Sequence, residues 1–214
     1  MHKLFPNKLI DLAKEIGLSE MCNCILSYKG SLEDETIKNN NRLNPQILTT
    51  SKKGIAFITS WETLKLKAYD DPAFATIGYG HLIAKRTCRS LKNNKTIIWP
   101  VNGITEQEFL NGINEERATE IFVEDLKIFE EGVRNKVTVP LYQYEFDALV
   151  SFLFNCGVDV VAPKLFEKLN KGDYSNAALE MDIVKSNNII LKGLVDRRAK
   201  ERDIFNNNNY VNHK

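Results

Sequence analysis

The stretch from Ser60 to His81 constrains the fold more than any other, because the hydrophobic period changes twice within it. Leading into it, Ile55, Ile58 and Trp61 recur at helical spacing. From Leu64 to Ala68 apolar residues alternate with Lys65 and Lys67, which is strand spacing. Asp71-Pro72 is a turn signal. The run Thr76 to His81 reads as a second short strand with two glycines. A helix followed at once by a hairpin places Glu62 where helix gives way to strand and Asp71 at the hairpin turn. Thr76 then opens the returning strand. Three polar groups on one edge of a small sheet suit acid–base chemistry.

These residues carry a resemblance to the phage-type lysozymes, glycoside hydrolase family 24. The pattern is a glutamate, an aspartate nine residues on, and a threonine opening TIGYGH, met here by Glu62, Asp71 and residues 76–81. Two departures stand out. Thr63 replaces the glycine that usually follows the glutamate, and the step from Asp71 to Thr76 is one residue short, without the hairpin glycine. Register from Glu62 favours Asp71 as the partner carboxylate; counting back from Thr76 favours Asp70. The run FDALVSFLFNCG at 146–157 resembles the family's central buried helix, and Lys192 to Glu201 resembles its closing motif. The likeness covers residues 54–205, the size of one compact domain.

The resemblance implies a fold that is α+β and mostly helical. A small antiparallel β-sheet lobe and a helical lobe should enclose a cleft, joined by a long helix expected over 115–135. It implies a muramidase cleaving the β-1,4 bond between N-acetylmuramic acid and N-acetylglucosamine in peptidoglycan, by inversion. Glu62 would be the acid, shielded by Phe154. Asp71 would steer water held by Thr76. Asn155 would line the cleft, or only cap its helix end; Arg198 would pair with Glu62; and His81 would make a structural ion pair or hydrogen bond. Neither metal nor organic cofactor is implied.

Composition narrows the alternatives. Net charge is +1 with 27% charged and 43% hydrophobic residues, so no global field draws the chain to nucleic acid. No run of 18 apolar residues is present, which argues against membrane insertion, and the first residues lack a secretory core. Synthesis in the cytoplasm and action at the cell wall or in the periplasm are expected, as a monomer. Cysteines 22, 24, 88 and 156 contain no C-x-x-C pair, so zinc is not expected; small apolar thiols are the plain reading, with one disulfide open.

The remaining chain divides by composition. Residues 1–50 read as an extension with helices over 3–17 and 19–28 and an asparagine-rich linker, and the catalytic domain as 51–206. Residues 82–100 read as a loop, Thr105 to Glu108 as a capping box, and Ser175 as the cap of a helix reaching Lys185. Residues 207–214 read as a frayed, asparagine-rich tail. Two settings fit the resemblance. One is a phage or prophage endolysin. The other is a type VI secretion effector, with an immunity protein as partner. An inactive glycan-binding or structural module of the same fold is the alternative class.

Overall fold

The computed structural model describes residues 41–160, 162–182, 185, 186 and 189–213. The helices expected over 3–17 and 19–28 lie outside these residues. The compact unit that holds the site runs Leu43–Lys214, so it begins before the expected boundary at Ser51. Residues 43–50 belong to it because they bond into it. Leu43 pairs with Leu141, Leu48 is buried, and Thr50 donates from its N–H and its hydroxyl to Glu130 at 2.7 and 2.8 Å.

Helix α1 (Lys52–Thr59) is capped by Ser51, whose hydroxyl accepts from Gly54 N at 3.1 Å. It buries Phe57 and Ile58. A Cβ on Gly54 would stand 2.7 Å from Asp147 Cγ, so only glycine allows this approach. Strands β1 (Lys65–Asp71), β2 (Phe74–Gly78) and β3 (His81–Ala84) form an antiparallel sheet in order 1-2-3. The TIGYGH run is therefore two strands, not one. Gly78 and Gly80, with φ of +68° and +99°, turn the chain between them. Thr76 does not open β2; it is the third residue, opposite Tyr69.

The stretch expected as a loop over 82–100 contains β3 and a short helix, α2 (Cys88–Asn93), capped by Thr87. Helix α3 (Glu106–Asn111) starts with the full Thr105/Glu108 capping box. Helix α4 (Glu115–Lys136) follows, then α5 (Gln143–Cys156), α6 (Pro163–Asn170) and α7 (Tyr174–Leu179). Asp173, not Ser175, caps α7, accepting from Asn176 N, and the helix ends well before Lys185. Lys185 instead sits in β4 (Lys185–Ser186), paired with β5 (Ile189–Ile190), and α8 (Lys192–Asn207) closes the helical order.

Two hydrophobic cores make two lobes. The larger gathers Phe57, Phe122, Leu126, Phe146, Leu149 and Ile204. The smaller gathers Ala75, Ile77, Ile83, Leu91, Phe109 and Ile121 under the sheet. Burying each such side chain contributes about 1.5–3 kcal/mol. Helix α4 serves both, sending Ile121 to the small core and Phe122, Leu126 and Val133 to the large one. Its 3.6-residue period rotates successive side chains from one lobe to the other. The fold is thus α+β and mostly helical, with the small sheet in its own lobe.

The tail is not frayed. Asn208 takes a left-handed conformation that ends α8 and turns the chain back. Tyr210 donates its hydroxyl to Asp147 at 2.5 Å. The ring of His213 stacks on Trp61 with centroids 4.0 Å apart, and its N–H donates to Ser60 Oγ at 2.9 Å. Asp147, almost fully buried, also accepts from the Ser51 amide and hydroxyl and from Gln143. Burial pushes its carboxyl up, against these hydrogen bonds.

Candidate active site

Strand alternation sorts the polar residues of the hairpin. Ala75 and Ile77 face the small core, so Thr76 faces the other way. Tyr69 pairs with Thr76 across β1 and β2, and Asp71 lies two residues on from Tyr69. Tyr69, Asp71 and Thr76 therefore share one face of the sheet. Asp70 faces the opposite side, where its Oδ1 accepts from Cys88 N at 2.6 Å at the start of α2. One of the two adjacent aspartates is spent on structure; the other is exposed at the end of β1.

Glu62 follows the last turn of α1, its N–H donating to Thr59 O at 3.0 Å. Its Oε1 accepts from Arg197 Nη1 at 3.1 Å, with the glutamate side chain 26% exposed and the arginine 4%. Tyr69 lies on the same sheet face as Asp71. Its pKa is raised by burial first, then by the charges of Asp71 and of Glu62.

Arginine 197 has the position expected of Arg198. Neighbouring residues on a helix point about 100° apart, and α8 turns Arg197 towards Glu62 and Arg198 into α5. Arg198 is fully buried. It donates from Nη2 to Asn155 Oδ1 at 2.8 Å and from Nη1 to Cys156 Sγ at 2.9 Å, and its Nε lies 2.8 Å from Glu201 Oε2. Glu201 also accepts from Arg197 Nε at 3.2 Å and Ser151 Oγ at 2.6 Å. Complete burial pushes the Glu201 carboxyl up, while Arg198, Arg197 and the Ser151 hydroxyl oppose it. Glu201 is the supporting group that reasoning from sequence passed over. Its signal was the spacing Arg197, Arg198, Glu201, which brings all three together at i, i+3 and i, i+4.

Phe154, expected against Glu62, lies beside the arginine that holds it, 5.9 Å from the Arg197 guanidinium to the ring centre. It continues edge-on to Phe122, which meets Tyr79 of the β2–β3 turn. This aromatic chain runs from the small lobe to the arginine. Thr76 is 4% exposed and its hydroxyl donates to Phe74 O at 3.0 Å, leaving the oxygen as an acceptor.

His81 is bonded to α4 and to the chain at Asn102. Nδ1 lies 2.9 Å from both oxygens of Asp125 on α4, and Nε2 lies 2.9 Å from Asn102 O. Burial opposes the charged ring, but Asp125 and the Asn102 carbonyl outweigh it and raise its pKa. Cys88 and Cys156 are free thiols, and burial pushes Cys88 up to about 11. Cys22 and Cys24 lie outside the described residues. Among the described residues no three His, Cys, Asp or Glu side chains cluster to hold a metal, and no helix is long and apolar enough to cross a membrane.

The phage lysozyme family model matches residues 59–201. The chain is 34% identical to the endolysin of Bacillus phage PZA over 73% of its own length, and spans about half of that protein, 54%. It is 30% identical to the endolysin of Salmonella phage P22, over 74% of this chain and 99% of that one. The muramidase domain of SpmX from Asticaccaulis excentricus superposes with a TM-score of 0.55 at 28% identity, covering 74% of this chain and 98% of the domain. With the Glu62 turn, the hairpin and the α8 arginines all inside the matched span, the chain belongs to the phage lysozyme family.

Proposed function

We propose that this chain hydrolyses the β-1,4 bond between N-acetylmuramic acid and N-acetylglucosamine of bacterial peptidoglycan, acting as an endolysin on the cell wall. The observation that carries the reading is Glu62, held by Arg197 at the end of α1, three residues before a hairpin whose one sheet face carries both Asp71 and Thr76. Glycoside cleavage requires one carboxyl to protonate the leaving oxygen and a second to manage water or the sugar cation. Glu62 is the acid. Arg197 fixes its orientation, and Phe154 and Trp61 flank that arginine.

Asp71 is the base that orients the attacking water, and the Thr76 oxygen accepts a hydrogen bond from the same water. Direct attack inverts the anomeric centre and calls for carboxyls roughly 6.5–9.5 Å apart. No step here requires a metal or an organic cofactor. Support for the cell-wall substrate also comes from the matched endolysins and the muramidase domain of SpmX.

The test is digestion of purified sacculi by wild type and Glu62→Gln, with mass analysis of the fragments and NMR of the fresh anomer. Reducing muramic ends of inverted configuration, lost in the variant, are expected. Anhydro-muramic ends would mean a transglycosylase, and freed peptides an amidase. Equal clearing by both proteins would remove Glu62 from the mechanism. Clearing by neither would leave a glycan-binding module.

A further inference from the structure

The segment after α8 touches helix α1 at both of its ends. Near the start, the Tyr210 hydroxyl donates to Asp147 Oδ2 at 2.5 Å, and Asp147 Oδ1 accepts from the N–H of Ser51, the α1 cap, at 3.0 Å. Lys53, in the first turn, stands over the Tyr210 ring with Nζ 5.6 Å from its centre. At the other end, the His213 N–H donates to Ser60 Oγ at 2.9 Å, and its ring stacks on Trp61 at an interplanar angle of 6°. Lys200 of α8 ties this segment down, donating to Asn212 O at 3.0 Å. Little of this closes the large core. Ile204 and Phe205 seat α8 there before the segment begins, and of residues 208–213 Tyr210 alone packs against it.

The contacts at the far end meet the bend that carries Glu62. The last carbonyls of an α-helix have no partner inside it. In α1 those of Ala56, Ile58 and Thr59 accept from the N–H groups of Ser60, Trp61 and Glu62 in turn. That of Phe57 accepts from the Ser60 hydroxyl at 2.6 Å. The same hydroxyl takes the His213 N–H, so the bond from the tail runs through Ser60 to the helix end. Trp61 adds a second route. Its ring lies 5.6 Å from the guanidinium carbon of Arg197, which grips Glu62, and 5.5 Å from Lys200 Nζ. Moving Trp61 would thus disturb both the backbone that presents the carboxylate and the cation that orients it.

We propose that Tyr210 and His213 are positioning residues for the acid, clamping α1 at its start and its end so that Glu62 meets the glycosidic oxygen in one place. The inference rests on the reading of Glu62 as the proton donor. A misplacement on the order of 1 Å in such a group costs about 10²-fold in rate, so a partial loosening should lower turnover while substrate affinity holds. Tyr210 suits the clamp. Burial first, then the charge of Asp147, push its phenol up, so the hydroxyl remains a donor around neutral pH. Neither residue has to touch the glycan to act in this way.

The experiment uses the full chain with His213→Ala, Tyr210→Phe and both together, assayed on soluble glycan well below each melting temperature. The double variant should lose roughly tenfold in kcat with KM held within about twofold. His213→Phe, which keeps a flat ring for Trp61, should recover most of the loss due to His213→Ala. In a Trp99→Phe background Trp61 is the one tryptophan left, and acrylamide should quench it more strongly with His213→Ala than with the unaltered tail. Unchanged kcat in the double variant overturns the proposal, whatever happens to its melting temperature, and leaves the tail a structural brace. A raised KM at unchanged kcat overturns it in favour of a direct glycan contact. Equal quenching overturns it too, as does His213→Phe no better than His213→Ala. These results leave the cleft reading intact while Glu62→Gln is inactive. If Glu62→Gln turns over as the unaltered chain does, that reading fails and this inference with it.

Discussion

The two carboxylates of the site are held in opposite ways. Glu62 leaves the end of a packed helix and is gripped by Arg197, which is itself wedged between Trp61, Phe154 and buried Glu201. Asp71 stands at the tip of a hairpin, exposed, with no such clamp among the described residues. In the proposed reaction the acid must meet one glycosidic oxygen at a defined place, so orientation is the scarce quantity there. The base must accept a water that arrives with the substrate, so an open position serves it better. On the proposed reading, building the two carboxylates from different lobes sets a rigid proton donor beside an accessible water-binding edge.

Several changes would break or sharpen this contrast. Glu62→Gln keeps the shape and the Arg197 contact but removes the proton, and sacculus clearing should fall roughly 10³-fold or more. Arg198→Met leaves Glu201 buried with one guanidinium fewer, and should lower unfolding free energy by about 3 kcal/mol in denaturant titration. A smaller loss would mean that Arg197 alone satisfies it. Asp71→Asn should cost about 10²-fold in turnover with little change in melting temperature. Asp70→Asn should do the reverse, keeping turnover within about threefold while costing at most about 1 kcal/mol. If the two aspartate variants exchange phenotypes, the assignment of faces is wrong.

The smallest effect concerns pH. The His81 pKa is raised in the folded state above its ordinary 6.5. Its pairing with Asp125 therefore contributes fully below pH 6.5 and fades as pH rises through the higher folded value. Melting temperature should decline across that window, and His81→Gln should flatten the slope without moving the acid-side limb of activity.

How far the sequence could be read depended on whether the signal was local. Glu62, Asp71 and Thr76 were legible because a fixed run of neighbours sets them on one helix end and one hairpin. The capping box at Thr105 and the inner face of α4 were legible for the same reason. Arg197 and Arg198 were not separable. Which of two consecutive helical residues faces a distant glutamate depends on the phase of α8 against α5, and that phase is set by tertiary packing. The start of α7 differs from expectation because Asp173, just after Gly172, makes an earlier cap than Ser175. The split of TIGYGH turned on glycine dihedrals that composition does not reveal.

The tail was misjudged for a different reason. Its asparagines suggest solvent, yet two aromatic rings among them decide the outcome, one on Asp147 and one on Trp61. Asp147 also grips Ser51, and Trp61 immediately precedes Glu62. A purification handle or second binding module hung from His213 will therefore tug on the bend that presents Glu62. Designers who wish to retarget this protein should leave a slack spacer there.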